Sequence, residues 1–378
     1  MEAVAEYQKK SHAIEKESDF LKLKAVDHVE FWVGNAKQAT FFWKNLGFKP
    51  VAYSGLETGN RRYASWIVEQ NKIRFALKTP YNPHDPMAVH AMMHGDSVKT
   101  IALTVDDVEK AWRETTQRGG KSVEAPVEHK DANGVVRTAT IQCFGETLMR
   151  FVERNDYSGA FMPGYEPLPD DPSIQSTGLA AIDHIVANVE LGKMNYWANW
   201  FHEVLGFKQI IHFDENDIST QYSALMSKVM SNGSGRIKFP INEPAEGKKK
   251  SQIEEYLNYN IGPGVQHIAL ITGDIISTTR ELRKRGLEFL RVPMSYYEAL
   301  PGRIGEIDES YAEITELGIL ADRDDEGYLL QIFTRPIQDR PTLFLEIIQR
   351  HGSQGFGQGN FQALFESIEI EQQRRGNL

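Results

Sequence analysis

Three residues stand out by type: His184, His267 and Glu346. Brought to one face of a sheet, two neutral imidazoles and one carboxylate hold an octahedral cation by three corners. Three corners stay open, which is the protein contribution to non-haem Fe(II) sites. Glu346 is the sharpest of the three, because it interrupts the otherwise apolar run Leu343–Ile348. Burying an unpaired carboxylate there costs several kcal/mol, and a cation removes that cost. The plainer alternative is a buried ion pair with Arg350 or Arg335. Likewise, a lone histidine on an apolar strand is most often a hydrogen-bonded core residue. What favours the metal is that all three fall at equivalent strand positions of an internal repeat.

The repeat also supplies the elements that must position them. Residues 27–49 (DHVEFWVGNAKQATFFWKNLGFK) and 183–208 (DHIVANVELGKMNYWANWFHEVLGFK) both run Asp-His, an aromatic amphipathic segment, and Leu-Gly-Phe-Lys. Each predicts a strand, a helix and a glycine at the helix end. Val98–Gly119 and Val265–Gly286 form a second pair, each a short strand, an Asp at a helix start and Arg-Gly at its end. A third pair, ETLMRFVER and PTLFLEIIQR, aligns Thr147-Leu148 with Thr342-Leu343 and predicts closing strands. On that alignment His28, Thr100 and Phe151 stand where the second half has His184, His267 and Glu346. That first set is then expected to bind no metal.

The chain therefore divides into a polar leader (1–21), a non-catalytic half (22–155), a linker (156–179), a catalytic half (180–351) and a tail (352–378). The linker carries four prolines and three glycines, which argue an irregular connection. In the tail, Phe361, Leu364, Phe365 and Ile368 recur with helical spacing and predict a terminal amphipathic helix. Strand parity puts Phe344 with Glu346, Gln331 with Phe333, and His184 with Val186 and Asn188. By the same rule Gln266 points away from His267.

Composition sets the frame. The 378 residues are 41% hydrophobic and 25% charged, as in ordinary globular domains. Net charge is −10, and no basic stripe occurs beyond Lys248–Lys250, so a nucleic-acid partner is not expected; those lysines read as a solvated loop. No uninterrupted apolar run is long enough for a membrane helix. The N-terminus lacks the apolar core of a secretory signal. Cys143 is the only cysteine, which excludes an intramolecular disulfide and favours a reducing, cytoplasmic setting. No CxxC, P-loop, GxSxG or HExxH motif occurs. The remaining histidines are assigned no role.

Paired strand–helix–strands modules carrying His, His and Glu resemble the vicinal oxygen chelate (glyoxalase-like) superfamily. The stretches PINEPAEGKKKSQIEEYLNYN (240–260), GVQHIAL (264–270), GYLLQIFTRPIQDRPTLFLEIIQR (327–350) and GFGQGNFQALF (355–365) resemble the 4-hydroxyphenylpyruvate dioxygenase family. VEFWVGNAKQA (29–39) and GLETGN (55–60) resemble its N-terminal half. The resemblance implies an α+β fold of two open-barrel domains, each of two βαβββ modules, plus a C-terminal helix. It implies conversion of 4-hydroxyphenylpyruvate and O2 to homogentisate and CO2 in tyrosine and phenylalanine catabolism, with one Fe(II) per subunit on His184, His267 and Glu346. Ser227, Asn242, Gln252, Gln331 and, against the parity argument, Gln266 match the family's polar pocket positions. Phe333, Phe344, Phe356 and Phe361 match its aromatic lining, and Asn360 precedes its gating helix, hinged here at Gly355, Gly357 and Gly359. A homodimer is implied as well. The rivals are a 4-hydroxymandelate synthase, whose fold, iron site and substrate are similar, a ring-cleaving catechol dioxygenase, and a metal-free binding member of the superfamily. The catechol enzyme gives no reason for the amides and the terminal phenylalanines. Asn242 favours ring hydroxylation over the mandelate reaction.

Overall fold

The computed structural model describes residues 19–213, 224–245 and 250–377; most of the leader, with Lys248 and Lys249, lies outside them. The first sheet contains β1 (Val26–Trp32), β2 (Lys49–Ser54), β3 (Tyr63–Gln70), β4 (Ile73–Pro80), β5 (Ser97–Thr104), β6 (Ser122–Asp131), β7 (Gly134–Gln142), β8 (Leu148–Tyr157) and β9 (Glu166–Pro167). Their order is β6-β7-β8-β5-β1-β4-β3-β2-β9. The second contains β10 (Leu179–Asn188), β11 (Lys208–Phe213), β12 (Ala224–Ser231), β13 (Lys238–Ala245), β14 (Gly264–Thr272), β15 (Leu320–Asp324), β16 (Gly327–Phe333) and β17 (Phe344–His351). Here the order is β11-β12-β13-β10-β14-β17-β16-β15.

The helices are α1 (Ala36–Asn45), α2 (Pro86–His94), α3 (Val108–Gln117), α4 (Met194–Leu205), α5 (Gln252–Asn260), α6 (Ile275–Lys284), α7 (Met294–Ile304), α8 (Tyr311–Leu317) and α9 (Phe361–Arg374). Each half is thus two βαβββ modules, as expected: β1-α1-β2-β3-β4 with β5-α3-β6-β7-β8, then β10-α4-β11-β12-β13 with β14-α6-β15-β16-β17. The last module carries an insertion, α7 and α8, that the sequence pattern did not announce. Within each half the modules join through an antiparallel pair, β1 with β5 and β10 with β14. Parallel pairs β1–β4, β5–β8, β10–β13 and β14–β17 flank them.

Local chemistry explains the repeats. Asp107 and Asp274 are the N-caps of α3 and α6, their side chains accepting from the backbone N–H of Lys110 and Ser277. This satisfies donors that the first turn leaves free. Gly119 and Gly286 follow with φ of +98° and +89°, a left-handed turn that favours glycine. The central strands are buried on both faces; in β14 every residue but Ile271 is buried.

The prolines of 156–179 do not keep that segment away from the first sheet. Phe161 is buried, Tyr165 donates its hydroxyl to Ser65 Oγ at 2.9 Å, and β9 pairs with β2.

The register corrects one equivalence. Thr100 pairs with Leu148 and Ala102 with Arg150, while His267 pairs with Phe344 and Ala269 with Glu346. Arg150, not Phe151, is therefore the counterpart of Glu346. The alignment on Thr-Leu slipped by one residue, and one residue turns a strand's face over. Phe151 is fully buried in the hydrophobic core instead.

Candidate metal centre and pocket

His184, His267 and Glu346 sit on the adjacent strands β10, β14 and β17. His184 pairs with Ala269 and Ala269 with Glu346, so these three form a row across the sheet. His267 lies two residues before Ala269, on the same face. Ala269, between His184 and Glu346 in that row, carries only a methyl group. Glu346 Oε2 is 3.3 Å from His184 Nε2 and 3.2 Å from His267 Nε2. All three side chains are buried, and their donor atoms lie within 4.8 Å of one another, close enough to hold one metal ion.

The other ring nitrogens are fixed. His184 Nδ1 is 2.7 Å from Asp183 Oδ2, and His267 Nδ1 is 3.0 Å from Gln266 Oε1. Both partners accept, so both Nδ1 atoms carry a proton and both Nε2 atoms point at the Glu346 carboxylate. Two imidazole Nε2 atoms and a carboxylate aimed at one point in a buried site are a donor set that fits a metal. Burial alone pushes His184 down, yet the Glu346 and Asp183 carboxylates leave it above its ordinary value. Burial holds His267 below its ordinary value. Burial would raise Glu346, but the two imidazoles bring it down to about 2.

β-Bulges make this arrangement. In the β10–β14 ladder, Ile182 pairs with Leu270 and His184 with Ala269, so Asp183 is an extra residue. Val186 pairs with His267 and Ala187 with Val265, so Gln266 is another. A bulge lets consecutive side chains turn to one side. Parity therefore failed at Gln266, which lines the same cavity as His267. Asp183 is in turn gripped by Arg350 through Nε at 2.9 Å and Nη2 at 2.8 Å. Arg350 Nη1 also donates to Gly355 O at 2.7 Å, which ties the ligand's support to the chain entering α9.

The pocket encloses about 80 Å³, several times the roughly 10–15 Å³ one water needs. Ser227, Asn242, Gln252, Gln266, Gln331, Phe333, Phe344, Phe356 and Phe361 all line it. Asn360 stands behind: its Nδ2 donates to Gln331 Oε1 at 3.0 Å, and Gln331 Nε2 donates to Glu346 Oε1 at 3.2 Å. Tyr296 donates its hydroxyl to Asn360 Oδ1 at 2.6 Å, and Arg303 Nη2 donates to the same oxygen at 3.1 Å. Phe344 stacks on the His267 ring at 4.8 Å, and Phe356 meets His184 edge-on at 5.0 Å. Phe361 packs edge-on against Phe213 at 4.8 Å, closing the pocket from α9.

Sequence reasoning missed Phe213, Leu225, Val229 and Pro240 in the lining, and Asp183, Tyr296 and Arg303 behind it; Arg350, weighed above as an ion-pair partner of Glu346, pairs with Asp183 instead. For Asp183 and Arg350 the signal was present. Asp-His opens both halves, and Arg154 and Arg350 end the matched closing strands.

The sequence pattern of the Glyoxalase/Bleomycin resistance protein/Dioxygenase superfamily matches residues 25–145 and 181–332. Over 362 residues the chain is 49% identical to the 4-hydroxyphenylpyruvate dioxygenase of Danio rerio, covering 93% of this chain and 91% of that one. It is 46% identical to the Dictyostelium discoideum enzyme of that name, covering 94% and 100%, and 45% identical to that of Yarrowia lipolytica, covering 93% of each. The chain belongs to the 4-hydroxyphenylpyruvate dioxygenase family. Among solved structures, a triple mutant of 4-hydroxymandelate synthase from Streptomyces coelicolor superposes with a TM-score of 0.84 at 30% identity, covering 93% of this chain and 99% of that one. Family membership agrees with the resemblance in both halves. No helix among the described residues is long and apolar enough to cross a membrane.

Proposed function

We propose that this chain is a 4-hydroxyphenylpyruvate dioxygenase, converting 4-hydroxyphenylpyruvate and O2 to homogentisate and CO2 with one ferrous ion per subunit. The observation that carries the reading is a buried His184–His267–Glu346 face opening onto an amide-and-phenylalanine pocket. A ferrous ion held by these three side chains would supply open coordination positions for the substrate and O2 and a redox-active centre between them, the net electrons coming from the oxo acid. We take residues 180–351 as the catalytic domain.

The chain's own residues do the rest. Asp183 and Gln266 hold the ligand imidazoles with Nε2 inward. Gln331 orients the Glu346 carboxylate while its own amide is held by Asn360. Ser227, Asn242 and Gln252 offer neutral hydrogen-bonding groups for the substrate phenol, which do not compete with carboxylates for the metal. Phe333, Phe344 and Phe361 offer faces and edges to a flat ring. Helix α9, carrying Phe361, Leu364 and Phe365 into the pocket, keeps water from the reacting centre.

The mandelate reading is favoured by the superposition at 30% identity; the relatives at 45–49% favour homogentisate. Anaerobic Fe(II) loading, addition of 4-hydroxyphenylpyruvate and admission of air decides between them. Homogentisate, identified by mass and NMR, is the expected product; 4-hydroxymandelate overturns the assignment. The reading includes a cytoplasmic homodimer, a setting that suits the lone buried thiol of Cys143. Light scattering tests the dimer.

A further inference from the structure

A second group of metal-binding side chains lies outside the pocket. His90 and His94 are one turn apart on α2, and Glu146 stands on the turn between β7 and β8. Their donor atoms all fall within 4.8 Å of one another. Glu146 Oε2 is 2.7 Å from His90 Nδ1 and 3.4 Å from His94 Nε2. A tetrahedral ion with bonds of about 2.0–2.1 Å separates its donor atoms by roughly 3.3 Å.

Protonation fixes what these atoms can do. His94 Nδ1 is bonded to the backbone carbonyl of Asn260. A carbonyl only accepts, so Nδ1 carries the proton and Nε2 presents a lone pair. That Nε2 is buried, has no hydrogen-bond partner, and faces a carboxylate oxygen. His94 itself is 4% exposed. A buried lone pair aimed at an anion is unfavourable unless a cation stands between them. His90 turns its Nδ1 to the same carboxylate, 2.7 Å from Glu146 Oε2. Its Nε2 lies 3.1 Å from Ser97 Oγ, which can accept a hydrogen bond from Nε2–H when Nδ1 is given to a metal. The Glu146 side chain is 49% exposed, leaving an entry path and room for water as a fourth ligand.

We propose that His90, His94 and Glu146 form a second metal site, selective for a borderline divalent cation such as zinc, at the seam between the two halves. The seam is where these residues sit. His94 holds the C-terminal end of α5 through Asn260, and beside Glu146 a Cβ on Gly145 would stand 2.5 Å from Pro263 O. Two imidazoles and one carboxylate with an open fourth position suit zinc. Lys99 is the competing cation. Its Nζ lies 3.3 Å from Glu146 Oε2 and 3.5 Å from His90 Nδ1. Zinc uptake therefore displaces the Lys99 ammonium from Glu146.

The test loads the full chain with iron and dialyses it anaerobically against micromolar zinc, then counts both metals. One iron and one zinc per chain are expected. His94→Ala and the surface variant Glu146→Gln should each weaken zinc at least about tenfold, the scale on which even outer partners act, with iron content and turnover kept. Lys99→Met should tighten zinc. In Glu346→Ala, whose iron site is broken, one zinc should remain. The proposal fails if wild type takes up no zinc, if zinc enters only as iron leaves, or if Glu146→Gln and His94→Ala bind zinc as wild type does.

Discussion

Replacing Asp183 by asparagine exchanges one carboxylate oxygen for an amide nitrogen and removes one buried charge behind the metal face. The amide carbonyl of the variant still accepts from His184 Nδ1, so the ring keeps its tautomer, but the acceptor is neutral. A hydrogen bond to a charged group contributes about 1.5–3 kcal/mol net and a neutral one about 0.5–1.5. The difference of about 1–1.5 kcal/mol weakens the ligand imidazole by roughly tenfold in iron affinity, at the lower edge of the 10–100-fold that outer partners of metal ligands command. Folding suffers separately. Arg350 gives two hydrogen bonds to Asp183 and is itself 11% exposed; leaving it half-paired costs about 3–5 kcal/mol. The internal repeat supplies the control. Asp27 accepts from His28 Nδ1 at 2.6 Å and is gripped by Arg154 at 2.8 and 2.7 Å. Asp27→Asn should therefore lose similar stability in thermal unfolding while leaving iron affinity untouched. Chelator competition for Fe(II) under anaerobic conditions measures the affinity of both variants. If Asp183→Asn binds iron within about twofold of wild type, or Asp27→Asn weakens it equally, the outer-partner reasoning is wrong.

Glu346→Ala should bind no iron and turn over no substrate, yet keep its metal-free stability within about 1 kcal/mol, because removing the buried anion leaves two imidazoles that are comfortable neutral; metal analysis and urea unfolding check this. Gly357→Ala should lower turnover at least about tenfold with the fold retained: its φ is +76° and its Cβ would fall 1.8 Å from Gln331 Oε1, displacing the amide that orients Glu346. Gly376→Ala is the comparison, with φ of +72° and nothing within 4 Å of its Cβ; it should cost about 1–2 kcal/mol at most and leave kcat unchanged.

Why the His184–His267–Glu346 face was readable, and parts of its surroundings were not, follows from how each signal is written. Glu346 in an apolar run and the doubled Asp-His are local facts of the chain, and duplication turned them into a spatial statement. The strand parity of Gln266 was also local, but the bulges beside His184 and His267 are set by the ladder between β10 and β14. Nothing in the alternation of side chains marks an inserted residue. The exchange of Phe151 for Arg150 has the same origin: closing strands of similar composition can be aligned one residue apart, and only their pairing with β5 and β14 settles which residue faces inward. Helix α9 was readable because Phe361, Leu364, Phe365 and Ile368 keep helical spacing. Helices α7 and α8 break the repeat without such a stripe. His90 and His94 share a helix face, but their carboxylate comes from a turn more than fifty residues on, with no repeat partner to point at it.

The two halves solve one electrostatic problem in two ways. Both keep the aspartate, the histidine, the gripping arginine and an aromatic ring edge-on to the histidine: Phe161 at 5.0 Å from His28 matches Phe356 at 5.0 Å from His184. What differs is the middle. Where the second half has Val186, His267 and Glu346, the first has Glu30, Thr100 and Arg150. Glu30 Oε2 lies 2.7 Å from Lys78 Nζ and 3.2 Å from Arg150 Nη1, and its other oxygen accepts from Trp32 Nε1 at 2.8 Å. Burial would raise the Glu30 carboxyl, but these two cations hold it well below the usual carboxylate range. A buried carboxylate is costly unless a cation or hydrogen bonds compensate it. The first half carries that cation on its own side chains, Lys78 and Arg150. In the second half Val186 lines the pocket where the first half has Glu30, and on the proposed reading the cation beside Glu346 is bound from outside.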